Sequence, residues 1–124
     1  MGEIESYRDL KVWQEGMSLV EGCYRLSNEF PREELFGLTS QLRRAAVSVP
    51  ANIAEGYGRD SRGSYVAFLK TAQGSLKEVE THLILAQRLG FGSLDKTDRL
   101  LSQSETIGRM LRSLIRNLQG TAEH

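Results

Sequence analysis

The chain is 124 residues long, which fits one domain with one hydrophobic core but not two. Hydrophobic residues make up 40% of it and charged residues 26%, an ordinary globular composition, and 16 basic residues balance 16 acidic ones. This balance argues against a general polyanion-binding protein but leaves room for a local basic patch. Because it leaves little charge repulsion between copies, it also does not oppose their association.

Helical periodicity dominates the sequence. There are only two prolines, and no alternating strand pattern with hairpin dipeptides occurs. The pattern predicts four helices, at about residues 9–29, 32–57, 62–89 and 94–118. Because short connections between long helices favour antiparallel neighbours, we predict an all-α fold, a single domain over residues 1–124 that forms an up-down-up-down four-helix bundle.

The first helix carries more apolar rows than one bundle needs. Two rows at a spacing of seven residues are expected to face the core: Leu10, Met17 and Tyr24, and beside them Trp13, Val20 and Ser27. A third row lies beyond this stripe and consists of Val12, Leu19 and Leu26. Since exposed apolar patches usually mark an interface, we predict that this third row contacts a different face of a neighbouring copy.

The next two helices are delimited by proline, glycine and capping residues. Pro50 lies inside the second predicted helix and is expected to kink or split it, because proline removes one backbone donor. Gly56 and Gly58 are expected to end that helix. Asp60 or Ser61 is the expected N-cap of the third helix, and Gly90 is the expected C-cap.

Residues that bind metals or haem are scarce. A di-iron bundle needs two Glu-x-x-His pairs, but the only histidines are His82 and His124, and Val79 precedes His82 by three residues. His82 is better interpreted as a residue at the edge of the core than as a haem ligand. The single Cys23 excludes an internal disulfide and a thiolate zinc site, and it is expected to be buried and inert. We therefore predict no metal, no cofactor, no catalytic residue and no enzymatic activity.

The beginning of the chain, MGEIESYRDL, has neither the basic nor the apolar segment of a secretory signal. No apolar run approaches the roughly 20 residues that a membrane span requires. We expect a cytoplasmic protein without membrane association.

Four polar residues of the second helix fall on inward or rim positions and form a possible buried network: Gln41, Arg43, Asn52 and Glu55. A buried carboxylate needs a partner, and Arg43 is one candidate for Glu55. Two interpretations stay open. The network fixes the register of the helices or satisfies backbone groups freed by Pro50, or it forms a ligand site.

Arginines are the candidate contacts for an anion or a nucleic acid. Two of them flank the start of the third helix, where free backbone N–H groups favour an anion, and three follow one face of the fourth. The full set is Arg43, Arg44, Arg59, Arg62, Arg109, Arg112 and Arg116. The alternative for the face of the fourth helix is a solvated surface with cations placed favourably near a helix end.

Three segments resemble the bacterial 23S rRNA intervening-sequence protein family: YRDLKVWQ, FPREELFGLTSQLRRAAVSVPANIAEGYGR and FLKTAQGSLKEVETHLILAQRLGF. The resemblance runs from about residue 7 to residue 118, and the QLRRAA…NIAEG block is its most distinctive part. Polar and glycine positions that recur in the family match here at Trp13, Gln14, Gln41, Arg43, Arg44, Asn52, Glu55 and Gly56.

The resemblance implies a left-handed bundle and a homo-oligomer, a ring of five bundles. It brings no catalytic residues. The location of some relatives inside ribosomal RNA genes suggests contact with RNA. We therefore predict a non-catalytic oligomeric binding or scaffold protein. The alternative is a ribosomal RNA-binding protein in which a ring gathers arginines from several copies.

Overall fold

A computed structural model describes residues 3–123 of the chain, with the side chains of residues 3–120, so His124 lies outside the described residues. Over the described residues the protein is all-α and contains no strand. Its four α-helices are α1 (Lys11–Ser27), α2 (Leu38–Tyr57), α3 (Arg62–Leu89) and α4 (Leu94–Glu123). Short 3-10 helices at Tyr7–Asp9 and Arg32–Glu34 precede α1 and α2. None of the helices in the described part combines the length and apolar character that crossing a membrane requires.

The bounds of α3 coincide with the range expected from its capping residues. The side chain of Ser61 accepts a hydrogen bond from the backbone N–H of Ser64 at 3.1 Å. Gly90 ends the helix in the left-handed conformation, with φ of 74°, which glycine adopts without steric cost. α4 continues to Glu123, past the expected end at residue 118, and α1 is shorter than expected at both ends.

The start of α2 differs from the prediction. The α-helix begins at Leu38 and not at residue 32, because the chain first makes a 3-10 turn. The carboxylate of Glu34 accepts the N–H of Leu38 at 3.0 Å and so caps the helix that follows. A Cβ on Gly37 would lie 2.8 Å from that carboxylate, so glycine makes room for the cap. This turn leaves Phe36 92% exposed.

Pro50 does not split α2, which runs as one helix from Leu38 to Tyr57. The proline ring is buried against α1, where Gly16 leaves room for it: a Cβ on Gly16 would lie 3.3 Å from Cβ of Pro50. α1 and α2 therefore pack closely at the point where proline leaves α2 without one backbone donor.

The hydrophobic core lies between the four helices. α1 packs on α2 and α4, and α3 packs on the same two helices, whereas the backbones of α1 and α3, and of α2 and α4, do not approach each other closely in the described part of the chain. Each helix places fully buried leucines in this core, such as Leu19, Leu42, Leu76 and Leu111. Burying a leucine side chain is worth about 1.5–3 kcal/mol, so these rows are the main source of stability.

The proposed interface row of α1 is wrong. Val12, Leu19 and Leu26 are buried in the core of the chain's own bundle, at 5%, 0% and 0% exposure, so they cannot meet another copy without opening that core. Met17 and Tyr24, which were expected to be inward, are 40% and 41% exposed. The helix is rotated because its buried face also contains small residues, Gly16 and Cys23, that an apolar-row pattern underweights.

Candidate functional site

One side of the molecule combines exposed apolar side chains with two arginines. We call it the α1–α2 surface and define it by Tyr24, Leu35, Phe36, Arg43, Arg44 and Val47. These residues line an open groove of about 560 Å³. Leu35 and Phe36 belong to the turn before α2, which explains why they point outward. Exposed apolar side chains of α1 and of the turn before α2 therefore lie on this surface, and not in the row of Val12, Leu19 and Leu26.

Arg43 ties α2 to the end of α1. It donates from Nε to the hydroxyl of Ser27 at 2.8 Å and from Nη2 to Oδ1 of Asn28 at 3.0 Å. Its guanidinium also lies over the ring of Tyr24, 4.6 Å from the centroid. Much of its hydrogen-bonding capacity is used within the chain. The neighbouring Arg44 is exposed and has no hydrogen bond or ion pair with another described residue.

Asn52 belongs to a small hydrogen-bonded group between α2 and α3. Its side-chain amide donates to the backbone carbonyl of Ser48 at 2.8 Å and to the hydroxyl of Ser48 at 2.9 Å. That hydroxyl shares a hydrogen bond of 2.7 Å with the hydroxyl of Ser75 on α3. These hydrogen bonds join α2 to α3 through partly buried polar groups. They agree with the interpretation in which Asn52 helps to fix the register of the helices.

The remaining members of the predicted network lie elsewhere. Glu55 forms an exposed ion pair with Arg59 at 2.7 Å and not with Arg43, and Arg59 also lies over the ring of Phe68. Gln41 is exposed and lines a separate polar groove between α2 and α3, of about 380 Å³, together with Arg44, Ser48, Glu78 and His82. The structure thus separates Gln41, Arg43, Asn52 and Glu55 into independent contacts.

A third groove lies between α3 and α4, and the sequence predicted only one of its cations, Arg112. This α3–α4 groove has a volume of about 370 Å³ and is lined by Lys70, Gln73, Gly74, Leu76, Lys77, Gly108 and Arg112. Nearer the start of α3, a depression of about 380 Å³ is lined by Arg62, Gly63, Val66, Leu118 and Gln119. Lys70 and Lys77 share a helix face at a spacing of seven residues, but only the pairing of α3 with α4 brings them to Arg112.

The other candidate arginines stay apart from this groove. Arg109 donates to the hydroxyl of Thr106 at 3.3 Å and lines a shallow depression with Leu10 and Met110 of the α1–α4 side. Arg116 is exposed. The predicted set therefore does not converge on one site within a single chain.

The nucleophile and metal chemistry available to the described residues is limited. Cys23 is buried, and desolvation raises the pKa of its thiol to about 12, which leaves it protonated and unreactive at neutral pH. Within residues 3–120, no group of three or more His, Cys, Asp or Glu side chains is placed to hold a metal ion.

Comparison with known proteins gives a family and a fold. The model of the 23S rRNA-intervening sequence protein family matches residues 8–113. A crystal structure of a protein of unknown function from the S23 ribosomal protein family of Bacteroides thetaiotaomicron superimposes with a TM-score of 0.78 at 24% identity. The superposition covers 85% of this chain and 98% of that one. This likeness shows the shared fold. No curated protein matches the chain.

Proposed function

The chain belongs to the 23S rRNA-intervening sequence protein family, and we propose that it is a non-catalytic binding or scaffold protein that assembles with copies of itself. The α1–α2 surface is the observation that carries this proposal. Phe36 is 92% exposed at the rim of an apolar groove, where leaving a large aromatic side chain in water is unfavourable. Aromatic residues flanked by arginine are typical anchors of protein interfaces.

A ring of copies requires two different contact patches on each chain. The chain exposes a second apolar set at the end of α3 and the start of α4: Ile84, Leu85, Leu89 and Leu94. In the proposed assembly this set receives the α1–α2 surface of the next copy. The number of five copies comes from the family resemblance alone.

The proposed building block is an antiparallel, left-handed bundle. Contacts between α2 and α3 support the antiparallel part, because Gln41 and His82 line one groove whereas Ser48, further along α2, bonds to the earlier Ser75 on α3. The left-handed twist is carried over from the family resemblance.

The absence of catalysis is supported by the chemistry of the polar groups. The pair that would have been the best acid–base candidate, Glu55 with Arg43, is not formed: each side chain has its own partners. The thiol of Cys23 lies in the core with a raised pKa. A nucleophile needs the opposite, a lowered pKa or an adjacent base.

The experiment that tests self-assembly is the molar mass in solution by light scattering at micromolar concentration. We expect the unchanged protein to be a multiple of the chain mass and Phe36→Asp to fall to a monomer, because a charge replaces the interface anchor. Ile4→Asp is the matched control, since Ile4 is also exposed but lies outside both apolar sets. A monomeric unchanged protein would contradict the proposal.

Nucleic-acid binding is the second candidate function, and a specific observation favours it. Arg44, Arg62 and Arg112 have no hydrogen bond or ion pair with another described residue and remain available for an anion. Repeating them around an assembly would multiply a weak contact. The test is binding of ribosomal RNA fragments over a salt series, since phosphate contacts weaken steeply as salt rises.

A further inference from the structure

The α3–α4 groove and the depression near the start of α3 both have a cationic lining. Lys70, Lys77 and Arg112 line the groove, Arg62 lines the depression, and no aspartate or glutamate lines either of them. On a chain with as many acidic as basic residues, this is a local excess of positive charge. Cations that line a concave surface attract anions more strongly than the same cations on a convex one.

Most of these cations have no partner within the described part of the chain. The side chains of Lys70, Arg62 and Arg112 make no hydrogen bond or ion pair there. Lys77 donates to Glu80 at 3.1 Å, but the other oxygen of that carboxylate accepts the hydroxyl of Ser104 at 2.6 Å. Glu80 therefore joins α3 to α4 beneath the rim and offsets at most one of the charges.

Glycines open the floor of the groove. A Cβ added to Gly74 would meet nothing within 4 Å, so the space above its backbone is empty. A Cβ on Gly108 would lie 3.5 Å from Nη1 of Arg112 and 3.6 Å from a methyl group of Leu76. The arginine thus lies directly beside the open floor, where a ligand can approach its guanidinium.

The cations are spread along α3 and do not converge on one point. From Arg62 to Lys77 the helix advances about 22 Å at about 1.5 Å per residue. Such a spacing suits a chain of phosphates better than a single phosphate group. No aromatic side chain lines the groove or the depression, so bases have no surface on which to stack. A bound strand is therefore held through its phosphates alone.

We propose that the α3–α4 groove binds the phosphodiester backbone of a single-stranded nucleic acid, an inference that rests on the second candidate function. Lys70, Lys77 and Arg112 contact successive phosphates over the open backbone of Gly74, and Arg62 extends the track. The axes of two packed helices lie about 8–10 Å apart, so the surface groove between them is too narrow to take in a duplex, whereas one strand can lie along it. Contacts to phosphate carry no sequence information, so binding is independent of base sequence.

Fluorescence anisotropy of a labelled oligouridine tests the proposal in the full chain at several salt concentrations. Gly74→Glu places a carboxylate in the groove without removing any native side chain, and the open space around Gly74 keeps the fold intact. We expect it to weaken binding roughly tenfold or more at low salt. The double variant Lys70→Ala/Arg112→Ala is expected to reduce the slope of log affinity against log salt by about 1.4, as for two lost phosphate contacts on a single strand.

Ser18→Glu is the matched control, because it adds the same charge at an exposed position of α1, a helix whose backbone does not approach that of α3 closely. We expect its affinity to stay within twofold of that of the unchanged protein. Binding that survives both groove variants would overturn the groove while leaving nucleic-acid binding intact. No binding by the unchanged protein at the lowest salt would overturn both. A duplex that binds more tightly than either of its strands would overturn the single-strand assignment.

Discussion

The α1–α2 surface and the α3–α4 groove lie over the same hydrophobic core but use their cations differently. At the surface, Arg43 is held by Ser27, Asn28 and the ring of Tyr24. In the groove, Lys70 and Arg112 have no such partners within the described residues. An arginine whose donors are satisfied inside the chain stabilises the fold, whereas one without partners is available to a ligand. The number of arginines in a sequence does not reveal this division.

The largest expected effect tests which face of α1 lies against the core, on which the position of the surface depends. Leu19→Ala removes a fully buried side chain and is expected to lower the free energy of unfolding by about 3 kcal/mol. Met17→Ala, two residues earlier on the exposed face, is expected to change it by less than about 0.5 kcal/mol. Urea denaturation followed by circular dichroism measures both. Equal losses would show that the helix is rotated differently.

The second prediction sharpens the contrast between adjacent arginines. Arg43→Ala removes two hydrogen bonds and a cation–π contact, so we expect a loss of about 1–2 kcal/mol in the free energy of unfolding. Arg44→Ala is the control and is expected to change it by less than about 0.5 kcal/mol. If both variants were equally stable, the proposed structural role of Arg43 would be wrong.

The third prediction concerns the floor of the groove. Gly74→Ala is expected to raise the free energy of unfolding by about 0.4–1 kcal/mol, because alanine favours the helix and its Cβ has open space. Gly56→Ala is expected to lower it, since its Cβ would lie 2.8 Å from Cβ of Phe68 and 3.2 Å from the backbone oxygen of Tyr65. Thermal unfolding distinguishes the two, and a destabilised Gly74→Ala would mean that the floor is not open.

The smallest expected effect lies at the end of the bundle where α1 meets the start of α4. A hydrogen bond from Lys96, together with one from the backbone N–H of Ser93 at 2.8 Å, lowers the pKa of the exposed Glu29 carboxyl. A lowered pKa in the folded state stabilises the fold above the ordinary pKa of the carboxyl, and this contribution is lost as pH falls through the folded pKa. Glu29→Gln should therefore be slightly less stable than the unchanged protein at neutral pH, with the difference vanishing in acid. A difference that persists in acid would contradict this explanation.

The sequence predicted the features of the fold that depend on local chemistry. The four helices follow from periodicity, and the ends of α3 follow from Ser61 and Gly90, whose caps form within the helix itself. The family also followed from local segments such as QLRRAA, and the family model confirms it. The turn before α2 was missed because it depends on a contact between Glu34 and the N–H of Leu38 that a periodicity pattern does not contain.

The α1–α2 surface and the α3–α4 groove could not be predicted in the same way, because they depend on packing between helices. Several neighbouring rows of α1 are apolar, and periodicity alone does not decide which one is buried. The close approach of Pro50 to Gly16 fixes the rotation. The groove needs the register of α3 against α4, and therefore Arg112 was predicted as a candidate while Lys70 and Lys77 were not.

Sedimentation velocity with a labelled single-stranded oligonucleotide measures self-assembly and nucleic-acid binding in one experiment. We expect Phe36→Asp to sediment as a monomer that still carries label, more weakly because fewer grooves act together. We expect Gly74→Glu to stay assembled and to carry much less label than the unchanged protein. An assembled Phe36→Asp would overturn the role of the α1–α2 surface, and a Gly74→Glu variant that carries as much label as the unchanged protein would overturn the role of the α3–α4 groove.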